Sequence, residues 1–372
     1  MRPRIAALAF VGAVAWTASA PSARASGTTE CPGPVSPCIN DDTLWPHAGP
    51  SHFVAVGSTE TVAPGQLGFG LVTSYLSRPI VLHVPSPGSG GSSDYLINDQ
   101  VNGTFLWSYG ATDRLELDVA LPLTFGQGGT GLAPITGAED LHDTATRDMR
   151  FGFAYALVKH ARVDRDLPGS ALVPVGNDHW GLTARFEMSA PTGDHDQFAG
   201  EQSGVYIPSV AADFLAGPLR LGAEVGARLR PITELLGARV GTQLVAMAGI
   251  SYDVCPRELL AASLEAWALP TLVSQGPGQG SPLVPAEWQV AARTALRGGD
   301  FSIQLGGGSA IPFGGETEIT RPRFRLTLGI RWEPLARDTD EDGVLDSADK
   351  CPTIPARGTM DGCPVAPGPD SP

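Results

Sequence analysis

Between Gln66 and Trp332 the chain repeats one pattern, apolar residues at every second position with polar or charged residues between them. It is clearest in R-L-E-L-D-V-A-L-P-L, where Leu115, Leu117, Val119, Leu121 and Leu123 alternate with Arg114, Glu116, Asp118 and Ala120. Strand side chains point to opposite faces with period two, whereas a helix would scatter these leucines around its circumference. The pattern predicts about twelve strands: 66–76, 101–109, 114–123, 149–158, 180–189, 206–215, 219–230, 239–253, 258–269, 288–297, 301–309 and 323–332. No repeat of fixed spacing links them, which disfavours a propeller or solenoid.

The connections alternate in length. Short turns are expected at 111–113, 217–218, 255–256 and 298–299, and longer loops at 79–97, 126–148, 191–203, 270–285 and 312–322. Short turns on one side and long loops on the other suit an outer-membrane barrel. The long stretch 160–178 breaks the rule. Opposite the apolar face fall Arg114, Glu116, Asp118, Arg150, Arg185, Glu187, Arg220, Glu224, Arg228, Arg293, Arg323, Arg325 and Arg331. In a soluble sandwich that polar face would be solvated; in a membrane barrel it would line a lumen. The alternation is the same in both. Export, an even strand number and the loop asymmetry favour an all-β transmembrane antiparallel barrel over residues 65–333. Trp107, Trp180, Trp288 and Trp332 near strand ends suit aromatic girdles.

Export is read from the N-terminus. Arg2 and Arg4 precede the apolar run 5–16, and Ala23-Arg24-Ala25 or Ala18-Ser19-Ala20 offers a cleavage site, so residues 1–25 read as a signal peptide. No later run of 18 apolar residues exists, which excludes a helical membrane protein. Residues 26–64 are Pro-rich and without period, either a disordered leader or a plug-like segment; the flexible leader is the simpler expectation. Gly 46, Pro 33 and 17% charged residues fit an all-β chain with many turns, and the net charge of −14 argues against nucleic acid as partner. Five cysteines suit an oxidising compartment, with Cys31–Cys38 and Cys351–Cys363 the simplest local pairs and Cys255 odd.

The tail carries the most specific motif. Asp338, Asp340, Asp342, Asp346 and Asp349 occupy positions 1, 3, 5, 9 and 12 of a twelve-residue loop, with Gly343 at 6 and the Val344 carbonyl at 7. That is calcium-loop spacing, with Asp in place of the usual terminal Glu. No helix is expected to flank it, because Glu333-Pro334 precedes and Cys351-Pro352 follows. D-x-D-x-D-G-x-x-D-x-x-D-x-C-P, followed by Thr353, Pro355, Gly358 and Asp361-Gly362-Cys363-Pro364, closely resembles a thrombospondin type 3 repeat over 338–364. The resemblance implies calcium at Asp338, Asp340, Asp342, Val344, Asp346 and Asp349. A secreted barrel with such a repeat resembles OmpA-like outer-membrane proteins, in which the repeat forms a periplasmic stalk. The peptidoglycan-binding domain usual there does not follow, and residues 365–372 read as a disordered end.

No nucleophile elbow, P-loop or H-E-x-x-H occurs, and Asp194-His195-Asp196 reads as a solvated loop, so no enzymatic activity is expected. The sequence supports a structural anchor or adhesion protein of a Gram-negative outer membrane. Its barrel would meet lipid, and its tail a periplasmic or cell-surface protein. A pore for small solutes is the alternative.

Overall fold

The alternation resolves into strands in a computed structural model that describes Gly33 and residues 35–84, 92–137, 139–159, 179–255, 259–275, 283–296, 300–312, 318–334, 339–340, 342, 344, 346, 349–359 and 361–364. The first eight strands are β1 (Leu67–Val84), β2 (Ser92–Gly110), β3 (Leu115–Gly128), β4 (Ala145–Thr146), β5 (Arg150–Val158), β6 (Trp180–Ser189), β7 (Val205–Ala216) and β8 (Leu219–Arg228). The others are β9 (Thr233–Leu235), β10 (Ala238–Val240), β11 (Gln243–Cys255), β12 (Leu260–Ala268), β13 (Ala286–Leu296), β14 (Phe301–Ala310), β15 (Glu318–Ile319) and β16 (Phe324–Trp332). Twelve long strands follow one another antiparallel from β1 through β2, β3, β5, β6, β7, β8, β11, β12, β13 and β14 to β16. β16 pairs back onto β1, from Phe69 opposite Trp332 to Ser77 opposite Phe324. The sheet is therefore a closed barrel, in which no long strand is left with an unpaired edge.

Burial settles which face is which. Leu117, Phe151, Phe153, Tyr155, Leu221, Val225, Leu264, Val290, Leu305, Leu326 and Leu328 are exposed on the outside, while Glu116, Asp118, Arg150, Arg185, Glu187, Glu224 and Arg325 are buried. This is the reverse of a soluble protein, and it is what a hydrocarbon surround demands. Trp180, Trp288 and Trp332 are exposed on the outer wall. Trp107 is half-buried there, stacked against Phe105 and edge-on to Phe69.

Three local readings are corrected. β1 does not stop at residue 76 but runs to Val84, because Pro79 falls at a register shift between Ser77 and Ile80 and Arg78 adopts φ 53°. A bulge takes up the residue that cannot donate to the ladder, and pairing resumes. The strand expected from 239 begins at Gln243, since Ala238–Val240 pairs with Thr233–Leu235 across Leu236 and Gly237, both at positive φ. That is a tight hairpin inside a long connection. The third correction is the largest: residues 36–60 are buried and are not a free leader. The stretch 160–178, the turn at 298–299, the signal peptide and Cys31 lie outside the described residues.

Chain direction fixes the two ends of the barrel. β1 starts and β16 finishes at the end bearing the short β2–β3 and β7–β8 turns, and among the described residues the long connections gather at the other. At that second mouth Ile80, Leu96, Ile97, Leu132, Phe198, Leu235, Ala238, Val240, Leu283 and Ile319 form one apolar cluster, which also takes in Ile39.

Leu305 lies midway along β14 and is 63% exposed. Leu305→Arg should cost about 2–4 kcal/mol of folding free energy in lipid vesicles, as expected for a cation on a lipid-facing barrel position near mid-bilayer. Urea titration of the refolded barrel measures it, and an unchanged midpoint would contradict the lipid-facing assignment.

Candidate functional site

An irregular segment has no partner strand, so inside a closed barrel its amide and carbonyl groups must find other partners or be left unsatisfied. Residues 35–64 solve this with the charged wall. Glu265 on β12 accepts from the amides of Val54 (2.9 Å) and Ala55 (2.8 Å), Glu224 on β8 from Gly57 (2.8 Å), and Glu116 on β3 from Val62 (2.6 Å). Arginines serve the carbonyls: Arg228 donates to Thr43 (2.9 Å), Arg150 to Pro46 (3.0 Å), Arg185 to Ser58 (2.8 Å) and Arg331 to Gly49 (2.8 Å).

Side chains of the segment complete the charge pairing. Arg325 lies 2.9 Å from Asp42 and 2.8 Å from Glu287, which also accepts from the Thr43 hydroxyl. His47 sits between Glu187 (2.5 Å) and Glu224 (3.1 Å), and Arg150 pairs with Glu187 at 2.9 Å. Arg220 bridges Glu60 (3.0 Å) and Asp213 (2.8 Å), and Thr59 donates to Asp213 at 2.6 Å. Trp45 lies under the guanidinium groups of Arg228 and Arg150, 4.1 and 5.2 Å from its ring centre. Such cation–π contacts strengthen when desolvated.

Phe53 is the apolar peg of the segment. A Cβ on Gly222 or Gly249, which are paired across β8 and β11, would come within 2.6 and 2.7 Å of its ring. The two glycines leave the hollow that Phe53 fills.

The contacts progress along the barrel axis. Val35 bridges Leu235 and Ser36 donates to the Glu234 carbonyl at the long-loop mouth, where Arg147 also holds Asp41 at 2.7 Å. Glu60, Val62 and Pro64 meet Arg220, Glu116 and Gly110 at the short-turn mouth. The segment thus threads the lumen from end to end.

Of the residues read as lumen-lining, Glu116, Asp118, Arg185, Glu187, Arg220, Glu224, Arg228 and Arg325 are buried and face the segment or one another. Arg114 and Arg323 lie elsewhere. Each stands just before its strand begins, where the alternation no longer fixes the face: Arg114 donates to the Leu157 carbonyl near a turn, and Arg323 is exposed. Two inward carboxylates escape the alternation for different reasons: Glu265 is the single carboxylate of an Ala-rich strand, and Glu287 stands one residue before the expected strand 288–297, whereas β13 begins at Ala286. At the long-loop mouth, burial drives the Asp148 carboxyl upward, against hydrogen bonds from the Glu201 and Gly193 amides. His195 hydrogen-bonds the Glu201 carbonyl at 2.7 Å within a short helical turn.

In the tail, Cys351 and Cys363 form a disulfide with Cα atoms 5.1 Å apart, and Cys38 is disulfide-bonded as well. Carboxylate oxygens of Asp340, Asp342 and Asp349 lie within 4.8 Å of one another. Asp346 instead accepts from Thr339, and Val344 donates its amide to Asp342. Asp338 lies outside the described residues.

A closed twelve-stranded antiparallel wall, apolar outside and charged inside, defines an outer-membrane-type β-barrel with its lumen occupied by its own chain. Solved structures of that class are similar to it. A crystal structure of an outer membrane channel from Pseudomonas putida F1 matches with TM-score 0.48 and 17% identity, over 74% of this chain and 98% of that one. A FadL homologue of Pseudomonas aeruginosa matches with TM-score 0.44 and 9% identity, over 78% and 99%. The NanC porin matches with TM-score 0.43 and 8% identity, over 72% and 100%. No protein-family model and no curated protein sequence matches the chain.

Glu265→Ala should free the segment locally, since buried amides left unsatisfied cost about 1–3 kcal/mol each. A cysteine introduced at Ser51, buried in the wild-type chain, should then react faster with maleimide. Glu265→Gln keeps an acceptor and should react at nearly the wild-type rate. Equal rates for all three chains would remove Glu265 from the seat.

Proposed function

We propose that the protein is an outer-membrane channel for small solutes, held closed by residues 35–64 acting as a plug. The observation that carries this reading is the division of labour inside the barrel. The inner wall is mostly polar and charged, with one apolar patch of Val72, Leu106, Met247 and Trp267, and the filling comes from a separate segment joined at one end through Gly65 and Gln66. A barrel serving only as an anchor could fill its lumen with apolar wall side chains. This one would be left with a water-compatible bore if the segment moved. Wall arginines and carboxylates are nearly balanced, which argues for small polar solutes over one sign of charge.

The test is conductance in planar bilayers. Deletion of residues 36–62 should give a folded, heat-modifiable barrel with steady conductance, while the full chain stays closed most of the time. A folded deletion variant that conducts nothing would return the protein to the structural-anchor reading.

The tail is proposed to bind one calcium ion on the periplasmic side. Three converging carboxylates on Asp340, Asp342 and Asp349 support this, since a hard cation relieves their repulsion. The segment carries little apolar surface of its own, so metal binding would supply its ordering energy. By the resemblance to thrombospondin type 3 repeats it would be a stalk toward a periplasmic protein partner. Calorimetric titration of the full chain in detergent should show calcium binding that Asp342→Ala weakens sharply and Glu341→Ala leaves nearly intact. Equal effects of the two substitutions would discard the loop.

A further inference from the structure

The plug is fixed at one mouth and bonded at the other, and the two attachments are not equivalent. At the short-turn mouth the Gly65 amide donates to the Gly110 carbonyl (2.7 Å), and the Gly110 amide donates to Gln66 (3.1 Å), directly before β1 begins. That end is covalently part of the wall. At the long-loop mouth the attachments are non-covalent: the Val35–Leu235 bridge, the Ser36 amide on the Glu234 carbonyl at 3.0 Å, Ile39 within the apolar cluster, and the Arg147–Asp41 ion pair at 2.7 Å.

Reach decides which way the lumen can be cleared. β1 has 18 residues, and at about 3.3 Å per residue and a tilt of about 40° it rises roughly 45 Å along the axis. An extended chain spans at most about 3.6 Å per residue, so a segment drawn outward from its fixed end would still leave about thirteen residues strung through the bore. Drawn the other way, the whole segment leaves, because its fixed end is already at the short-turn mouth.

We propose that the channel opens by release of the Val35 end and withdrawal of the segment toward the short-turn face, with Gly65 and Gln66 as the hinge. The inference rests on the channel reading above. It makes the Val35–Leu235 contact the latch. The β9–β10 hairpin carries that latch, with Glu234 and Leu235 on one strand and Leu236-Gly237 at its tip. Loop movements at the long-loop mouth would therefore act on the gate through this hairpin. Withdrawal also has to break the carboxylate–amide bonds at Glu265, Glu224 and Glu116 and the ion pairs of Arg147, Arg325 and Arg220 with the segment, so these hold the closed state together with the latch.

A disulfide across the latch tests this. Val35 and Leu235 are antiparallel bridge partners, and the Ser36-to-Glu234 hydrogen bond makes them a close, non-hydrogen-bonded pair. Such pairs have Cα atoms about 4.5 Å apart, within disulfide range. The experiment uses the full chain with Cys31→Ser, Cys38→Ser and Cys255→Ser as parent, and Val35→Cys/Leu235→Cys added to it. Bridge formation is verified by mass and barrel folding by heat-modifiable migration. Each chain is recorded in planar bilayers under rising urea, which the barrel tolerates better than an irregular segment does.

The parent and the reduced double variant should open as urea rises, and the oxidised double variant should lose those openings. The 36–62 deletion, recorded alongside, should conduct throughout. An oxidised variant that opens like its parent would overturn the latch and the direction of withdrawal. A parent that stays closed while the deletion conducts would also overturn it, making the segment a permanent filling. A folded deletion that does not conduct would instead bring down the channel reading itself.

Discussion

Everything inside this barrel depends on irregular backbone being satisfied away from bulk water. Residues 35–64 form no regular strand or helix among the described residues, so their amides and carbonyls cannot pair with one another in a ladder. The wall supplies the partners: Glu265, Glu224 and Glu116 accept from amides, and Arg228, Arg150, Arg185 and Arg331 donate to carbonyls. Charged groups make stronger hydrogen bonds than neutral ones, and a low-dielectric interior raises the penalty for any that is missing. The same groups neutralise one another across the bore, as Arg325 does between Asp42 and Glu287. Charge balance and backbone satisfaction are one arrangement here.

That arrangement explains why the outer and inner faces can differ so sharply. Outside, the strands need only apolar side chains, because the closed ladder leaves no backbone group toward lipid. Inside, most of the charged positions are met by the segment or by one another. While the segment stays seated, removing one member of such a pair would leave a buried charge without its counterpart, which is costlier than never having had it.

Much of the wall was legible in the sequence because a period of two is a local property. Leu115 to Leu123 declares a strand with two unlike faces whatever lies around it. What that alternation cannot say is which face meets water, and signal-peptide and loop-length arguments had to stand in for burial. The segment was illegible for a related reason. Its order comes from distant partners, 54 residues away for Val62 on Glu116 and 282 for Arg331 on Gly49, and no pattern within 26–64 records them. Hints did exist. Phe53-Val54-Ala55-Val56 is an apolar run between polar stretches, and Gly222 and Gly249 interrupt alternating strands where a wall residue would normally have a side chain. The limits of parity show at Arg114 and Arg323, which precede their strands. Pro79 misled in the opposite direction, since a bulge let β1 continue past it.

Closure by β1 on β16 has a consequence for the order of assembly. The last seam of the wall, from Phe69 on Trp332 to Ser77 on Phe324, joins the first long strand to the last and cannot form until nearly the whole chain has been made. Contacts of such long range are slow to form because the intervening chain must first be gathered. The segment adjoining β1 is made first, and a sealed wall offers it no sideways entry. It must therefore lie among the curling strands before the seam shuts, or be fed lengthwise through a finished bore against its own charges. The first route turns the wall's inward carboxylates into early contacts, and the N-terminal segment into a core around which the sheet curls.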